Sequence, residues 1–119
     1  KHKKIKEILY PYKSSSRNYK LWKKYYTGAT GLLSIVLKSK SKSSVVKFVN
    51  SLELFGIGYS WGGFESLAIL QNLRKETEYT KGRQYYRFGK DEHIVRLHIG
   101  LEDPKDLIID LRNSLKYIN

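Results

Sequence analysis

The alternation of apolar and polar positions predicts several short strands. It is clearest at Ile94–Ile99, where the side chains at 95, 97 and 99 point one way and those at 94, 96 and 98 the other. An apolar run at Ile5–Tyr10, stopped by Pro11, predicts an edge strand. The run Leu32–Leu37 predicts a strand buried on both faces, and Phe55–Tyr59 predicts a shorter one. The chain is therefore expected to build a sheet.

Helical spacing appears between these strands. Asn18 is predicted to begin a short helix that ends at Tyr26, and Ser43 or Ser44 to cap a helix reaching about Leu54. Phe64–Leu73 is interpreted as one further short helix. The inner stripe of the second helix is predicted to be Val45, Val49 and Leu52.

The last helix has the strongest start signal. Asp103 is placed to cap it, and Pro104 occupies the first helical position. Its predicted core stripe is Leu107, Ile108, Leu111, Leu115 and Ile118. The charged, aperiodic stretch Arg74–Asp91 predicts a mobile loop or insertion. Together the elements predict an α+β (α/β) class: a small, mainly antiparallel sheet with helices packed on one face.

Length and composition set the outer limits. The 119 residues correspond to a single domain, and 40% apolar residues suffice for a core. The chain contains no run of about 18 apolar residues that could cross a membrane. It has no cysteine, which removes disulfides and thiolate chemistry, and this is compatible with a cytoplasmic location. Because it has no methionine either, we expect Lys1 to be a cut end of a processed, proteolysed or excised chain.

The charge is unevenly distributed. The net charge is +12, and residues 1–50 hold all of the excess, with thirteen basic residues against Glu7. A basic half is typical of proteins that bind nucleic acid or an anionic membrane. An AT-rich coding bias toward Lys, Ile, Tyr and Asn explains the scattered lysines more simply. Tyr and Trp residues interleave with lysines over residues 3–26, but no nucleic-acid motif accompanies them, so nucleic acid is not the expected partner.

Two short motifs suggest catalysis and are set aside. Gly58–Gly62 matches the G-x-S-x-G nucleophile elbow, but the chain is too short for the sheet of an α/β-hydrolase. Gly56-x-Gly58 begins a dinucleotide fingerprint that fails at Trp61, where a small residue is needed. His93 and His98 lie five apart on a strand and point to opposite faces, so no metal site is predicted.

Arg96 carries the most specific chemical prediction. A guanidinium in the middle of a strand with apolar neighbours is costly unless it is paired. It either forms a structural ion pair, with Glu65 or Glu102, or clamps a ligand carboxylate through two parallel hydrogen bonds. The residues alone leave these alternatives equal.

Two segments resemble a known enzyme family. The stretches LFGIGYSWGGFESL at Leu54–Leu67 and VRLHIGLEDP at Val95–Pro104 resemble the C-terminal part of the cystathionine beta-lyases. These are pyridoxal-phosphate (PLP) enzymes of cysteine and methionine metabolism with the fold type I of aspartate aminotransferase. ILYP at Ile8–Pro11, then Trp22, Gly28–Gly31 and Ser34, follow in the family's order. The resemblance covers nearly the whole chain but only the C-terminal part of the family's proteins.

The resemblance implies a role for each matching residue. Arg96 would bind the substrate α-carboxylate, Tyr59, Ser60 and Trp61 would line the active site, and Ser60 would help to orient groups near the cofactor. Gly58, Gly62 and Gly63 would give the loop its geometry. The parent reaction would be α,β-elimination of L-cystathionine to homocysteine, pyruvate and ammonia, within transsulfuration and methionine biosynthesis.

The resemblance also implies what this chain lacks. Residues 1–119 would be a single C-terminal domain without the large PLP-binding domain, which carries the Schiff-base lysine. None of the 17 lysines lies in that lysine's motif. We therefore expect no catalytic residue in this chain, no PLP bound to it alone and no lyase activity of its own. The expected partners are the large domain, a further copy in a homo-oligomeric parent enzyme and a small amino-acid substrate. A non-catalytic or partner-binding fragment, and a basic domain that binds nucleic acid, remain the alternatives.

Overall fold

The computed structural model describes residues 2–71 and 88–119. Most of the predicted loop Arg74–Asp91 lies outside these ranges. The elements, in chain order, are β1 (Ile5–Leu9), α1 (Tyr19–Tyr25), β2 (Leu32–Lys38), α2 (Lys42–Asn50), β3 (Gly56–Ile57), β4 (Leu67–Gln71), β5 (Glu92–His98), α3 (Pro104–Ser114) and a closing 3-10 turn (Leu115–Tyr117).

The strands form one sheet in the order β1-β2-β5-β4-β3. Every neighbouring pair is antiparallel except β3 and β4, which run parallel. β5 therefore lies in the centre, paired with β2 on one side and β4 on the other. The predicted α+β class with a small, mainly antiparallel sheet is confirmed, and β1 is an edge strand as predicted.

The predicted helix over Phe64–Leu73 is wrong, because Leu67–Gln71 forms β4. Pairing with β5 places Ala68 opposite Leu97 and Leu70 opposite Val95, so alternate residues of β4 join the core. A short apolar run has no decisive period of its own, and here the long-range pairing overrides the local pattern.

The core lies between one face of the sheet and the helices α2 and α3. Ile35 and Leu37 of β2 and Val95 and Leu97 of β5 are buried there, as the alternation predicts. The helices and the turns beside them contribute Val45, Phe48, Val49, Phe55, Leu107, Leu115 and Ile118.

The ends of the helices differ from prediction at several points. Ser41, rather than Ser43 or Ser44, caps α2: its side chain accepts a hydrogen bond from Ser44 N. α2 ends at Asn50, so Leu52 lies beyond the helix, where it is only partly buried. Asp103 caps α3 as predicted, with Oδ1 accepting from Lys105 N at 2.8 Å.

The predicted burial of one residue of the stripe on α3 is wrong. Ile108 is 54% exposed, because a helix turns about 100° per residue and the inner face is taken by its neighbour Leu107. α1 follows Asn18 as predicted, although the Asn18 side chain accepts no capping hydrogen bond and α1 has no buried residue. Among the described residues, no helix is long and apolar enough to span a membrane.

Candidate carboxylate-binding site

The central strand carries Arg96 on the face of the sheet that turns away from α2 and α3. Its register partners are Ser34 on β2 and Ile69 on β4. Val95 and Leu97, its chain neighbours, are buried in the core on the opposite face. The alternation of a strand therefore holds the guanidinium outside the apolar core while the strand itself remains central.

Arg96 contacts the loop that enters β4. Its Nη2 donates to the carbonyl oxygen of Ser60 at 3.0 Å, and its Cζ lies 5.1 Å from the centroid of the Tyr59 ring. Within 2–71 and 88–119, neither Glu65 nor Glu102 forms an ion pair with it. The structural ion pair proposed from sequence is therefore not formed there, and one guanidinium N–H is used by a neutral carbonyl.

A cavity of about 370 Å³ opens beside this contact. Its lining is Tyr59, Ser60, Trp61 and Arg96, so the structure brings the four predicted binding residues together. Among the described residues of the lining, Arg96 is the one charged group, and Trp61 is exposed over 84% of its surface. Such a cavity offers a positive fork and an aromatic wall, which is the chemistry that recognises a carboxylate.

The turn after Ser60 is closed by its own side chain. Ser60 Oγ accepts hydrogen bonds from the amides of Gly62 at 3.3 Å and Gly63 at 3.0 Å. A Cβ on Gly63 would lie 3.1 Å from that same oxygen, which gives Gly63 a steric reason to be glycine. A Cβ on Gly62 would meet nothing within 4 Å in the described part of the chain, and one on Gly58 would meet only ordinary contacts with Leu67.

Ser60 therefore lacks the environment of a nucleophile. Its hydroxyl oxygen faces two backbone amides, and the nearby imidazole of His98 bonds elsewhere: His98 Nε2 lies 2.9 Å from the carbonyl of Gly63. A serine nucleophile needs a general base within hydrogen-bonding reach of its hydroxyl, and none bonds to Ser60 Oγ among the described residues. The G-x-S-x-G match is thus a matter of loop geometry.

The far end of the loop is tied to the turn after β5. Ser66, which is fully buried, donates from its amide to Glu102 Oε1 at 2.8 Å and from its hydroxyl to Glu102 Oε2 at 2.7 Å. The amide of Gly100 donates to Ser66 Oγ at 2.8 Å. The hydrogen bond from the Ser66 hydroxyl, and after it the bond from the Ser66 amide, lower the pKa of Glu102 below its ordinary value.

Sequence reasoning missed this tie and the burial of His98. From the sequence His98 is considered only as a metal ligand, yet it is 5% exposed and its Nδ1 has no partner in the described part of the chain. The alternation of β5 contained a usable signal for His98, since positions 96 and 98 share one face of the strand, whereas Gly100 and Glu102 lie in the turn beyond it.

A larger cavity, about 650 Å³, lies on the helix side between the end of α2 and α3. Its lining includes Glu53, Asp106 and Asp110. Asp110 accepts hydrogen bonds from the backbone amides of Glu53 and Leu54, so its carboxylate serves the chain turn. These three carboxylates outnumber the one lysine of the lining, Lys116, and disfavour an anion, so the smaller cavity at Arg96 remains the candidate site. Among the described residues, no group of side chains is arranged to hold a metal ion.

The chain belongs to the Cys/Met metabolism PLP-dependent enzyme family, whose model matches residues 1–116. It is 40% identical over 111 residues to a cystathionine beta-lyase of Bordetella avium, covering 93% of this chain and 26% of that protein. It is 38% identical over 116 residues to an L-alanine/L-glutamate racemase of Wolbachia pipientis, covering 97% of this chain and 28% of that protein.

A solved structure shares the fold. It is a putative O-acetylhomoserine (thiol)-lyase of Campylobacter jejuni that contains N'-pyridoxyl-lysine-5'-monophosphate, with a TM-score of 0.70 and 29% identity. The match covers 97% of this chain and 24% of that one. The chain thus spans about a quarter of the length of the proteins it matches, and the family recognised from GYSWGG and RLHIGLEDP is confirmed.

The cavity residues do not fit the family's cofactor. Holding PLP covalently requires a lysine amine, and none of the described residues that line the Arg96 cavity is a lysine. None of them carries a carboxylate that could pair with a protonated pyridine nitrogen either. What fits these residues is the carboxylate of an amino acid.

Proposed function

We propose that this chain is the C-terminal, substrate-binding domain of a PLP-dependent carbon–sulfur lyase, with Arg96 as the clamp for the substrate α-carboxylate. The observation that carries the proposal is the position of Arg96, which forms no ion pair with any described residue, in a cavity lined by Tyr59, Ser60 and Trp61. One N–H donor of the guanidinium bonds to the Ser60 carbonyl. Its other N–H donors have no partner among the described residues and can bind a ligand.

The reaction that we propose for the complete enzyme is α,β-elimination of L-cystathionine. The Cβ–S bond breaks, sulfur leaves as homocysteine, and the remaining three-carbon unit takes up water to give pyruvate and ammonia. The cofactor, when bound in the rest of the enzyme, supplies the electron sink for this chemistry. The residues of this chain bind and orient the substrate.

Each cavity residue has one task in this proposal. The Ser60 carbonyl fixes the rotation of the guanidinium, because Nη2 donates to it at 3.0 Å. The Tyr59 ring lies beside the guanidinium at 5.1 Å and stabilises its positive charge through the π face. Trp61 forms the exposed wall of the cavity and would shield the bound substrate from water.

The large PLP-binding domain is the partner that we propose for the exposed apolar side chains near the cavity. Ile57, Trp61, Phe64 and Leu101 are each at least 65% exposed. Trp61 lines the cavity, and exposed large apolar side chains of this kind are typical of an interface between domains. The same group is available for a further copy of the chain, as expected for a homo-oligomeric parent enzyme.

A racemase is the second candidate, because the Wolbachia pipientis relative named L-alanine/L-glutamate racemase covers 97% of this chain at 38% identity. A racemase and a lyase of this class both hold an amino acid by its α-carboxylate. The Arg96 cavity could bind the substrate of either reaction, so the two candidates are distinguished by the products that they form.

Nucleic-acid binding receives less support from the geometry. The Tyr19 and Trp22 rings stack at 5.8 Å, and Tyr12 meets Trp22 edge to face at 4.7 Å. Rings that contact each other in this way have fewer free faces for the stacking of bases.

The decisive experiment uses the native protein that carries this sequence. Its intact mass in the source cells comes first, since a product near 14.0 kDa would favour a non-catalytic or partner-binding chain. The purified native protein is then supplied with L-cystathionine and, separately, with L-alanine. Pyruvate and homocysteine support the lyase; D-alanine alone supports the racemase. Neither product, from a protein much larger than this chain, contradicts both.

Arg96→Gln tests the clamp in that protein. The loss of a charged fork to a carboxylate is expected to lower kcat/KM by about 10–150-fold, mainly through KM. Arg112→Gln is the matched control, because Arg112 is an exposed arginine on α3, on the opposite side of the sheet. Unchanged kinetics in Arg96→Gln, or an equal loss in Arg112→Gln, would contradict the assignment.

A further inference from the structure

The loop that lines the cavity is held by a series of contacts. Residues of β5 and of the turn after it bond to the loop in chain order: Arg96 reaches Ser60, His98 reaches Gly63, and Gly100 and Glu102 both bond to Ser66. The amide of Leu101 adds a bond to the Phe64 carbonyl, so the series extends from Arg96 to Glu102. Its first contact involves the proposed clamp itself, and its second, from His98, holds the backbone three residues after Ser60.

The imidazole of His98 is committed to this contact. Gly63 O can only accept, so Nε2 must carry the proton in the bond of 2.9 Å. The ring is 5% exposed, and its Nδ1 has no partner among residues 2–71 and 88–119. A residue that served only to fill volume would not need a buried ring nitrogen without a partner, since such a nitrogen is costly.

The turn transmits the position of Gly63 to the cavity. Ser60 Oγ accepts from the amides of Gly62 and Gly63, so the Gly63 backbone and Ser60 move together. The Ser60 carbonyl in turn accepts from Arg96 Nη2. Fixing the Gly63 carbonyl therefore fixes the acceptor that orients the guanidinium, and it also limits the motion of Trp61 between them.

We propose that His98 is a positioning residue for the Arg96 site: its Nε2–H bond to the Gly63 carbonyl anchors the loop 59–63, so that the Ser60 carbonyl holds the guanidinium ready for a carboxylate. This inference rests on the proposed carboxylate role of Arg96 and adds a residue that acts through the loop. His98 itself touches no ligand in this proposal.

The variants separate the hydrogen bond from the volume of the ring. His98→Leu keeps an apolar volume without a donor, and His98→Gln can return an N–H donor near the position of Nε2. His93 provides a matched control on the same strand, because its Nε2 also lies 3.1 Å from a backbone carbonyl, that of Ser39. Ser39 does not belong to the cavity, so His93→Leu removes the same kind of contact elsewhere.

Two readouts on the native protein that carries these 119 residues are needed. The first is titration with propionate, followed by NMR at the Arg96 side-chain N–H, with propionamide as the uncharged control. The second is the ¹⁵N heteronuclear NOE of the Trp61 indole and the amides of residues 59–63, which reports the order of the loop without any ligand. Urea unfolding of each variant measures global stability separately. His98→Asn, whose amide is too short to reach Gly63, replaces His98→Leu if that variant does not fold.

His98→Leu is expected to bind propionate about three- to tenfold more weakly than the wild-type chain, as befits the loss of one positioning bond. Its loop should become mobile, whereas His98→Gln and His93→Leu should retain the affinity and the order of the wild type. Equal affinity and equal loop order in His98→Leu and the wild-type chain would overturn the proposal. So would equal losses in His98→Gln and His98→Leu, because the donor would then be irrelevant.

The two proposals fail in different ways. If the wild-type chain does not distinguish propionate from propionamide, the carboxylate role of Arg96 is contradicted. The NOE then decides on the anchor alone: a loop that is rigid in the wild type and His98→Gln but mobile in His98→Leu supports it, and a loop equally ordered in all of them overturns it.

Discussion

The two faces of β5 are built from the same strand and are stabilised in different ways. On one face Val95 and Leu97 pack under α2 and α3 in a core of apolar side chains. On the other, Arg96 and His98 reach backbone carbonyls of a single loop at 3.0 and 2.9 Å. The first face is stabilised by apolar burial, which has no preferred direction. The second is stabilised by hydrogen bonds, which require a particular distance and angle between donor and acceptor.

This difference separates stability from geometry. A change in the apolar face should cost free energy of unfolding and leave the cavity intact in the molecules that remain folded. A change in the loop contacts should cost less stability but move the atoms that orient Arg96. The three predictions below test that division on the protein itself, beginning with the largest effect.

The first prediction removes a buried ring from the helix-covered face. Phe48 on α2 is fully buried, so Phe48→Ala is expected to lower the free energy of unfolding by about 3–5 kcal/mol, through lost burial and the cavity left behind. Val46→Ala on the exposed side of the same helix should stay within about 0.5 kcal/mol of the wild type. Urea unfolding measures both, and similar losses in the two variants would contradict this account of the core.

The second prediction crowds the site face. A Cβ on Gly100 would lie 2.1 Å from the Phe64 carbonyl oxygen and 2.6 Å from the Glu65 carbonyl carbon, both backbone atoms. Gly100→Ala should therefore push the loop away and cost about 1–3 kcal/mol of stability.

The matched control for this change is Gly62→Ala. An added Cβ there meets nothing within 4 Å in the described part of the chain, so we expect a change below about 0.5 kcal/mol. Hydrogen exchange of the Leu101 amide, which donates to Phe64 O at 2.8 Å, should speed up in Gly100→Ala alone. A slow Leu101 amide in Gly100→Ala would show that the loop accommodates the methyl group without moving.

The third and smallest effect is a pH dependence at the far end of the loop. The pKa of Glu102 in the folded chain is lowered from 4.5, first by the hydrogen bond from the Ser66 side chain. On acidification, the Glu102 carboxylate is therefore protonated at a higher pH in the unfolded chain than in the folded chain. The stability that Glu102 contributes is fully present above 4.5 and is lost as the pH falls through the lowered pKa.

Glu102→Gln should remove this part of the acid sensitivity. The measurement is the urea midpoint as a function of pH from neutral to below 4.5 for the wild type and the variant. Glu65→Gln, a change at an exposed carboxylate of the same loop, is the control and should follow the wild type. A wild-type and a Glu102→Gln curve that run parallel would refute the contribution of the Ser66–Glu102 bonds.

The sequence predicted the site residues better than it predicted the strand that leads away from them. Arg96, Tyr59, Ser60 and Trp61 were identified from two motifs, and the structure gathers them around one cavity. Their binding roles stay predictions. Leu67–Gln71 was mistaken for helix, because its apolar run fits either period and its pairing with β5 crosses a long stretch of chain.

Local signals were accurate where the cause was local. The alternation of β5 and the cap of α3 by Asp103 depend on neighbouring residues, and both are confirmed. The cap of α2 was misplaced by two or three residues among Ser41, Ser43 and Ser44, because adjacent serines offer equivalent hydroxyls.

The sequence by itself determined the family, the α+β class, the alternating strand that carries Arg96 and the loop expected beside it. The tertiary structure alone decided that the guanidinium meets the Ser60 carbonyl rather than Glu65 or Glu102, and that His98 is buried against Gly63. Those partners are 36 and 35 residues apart along the chain. A periodic pattern tells which face of a strand a side chain occupies, but only the folded register brings a particular carbonyl within reach of it.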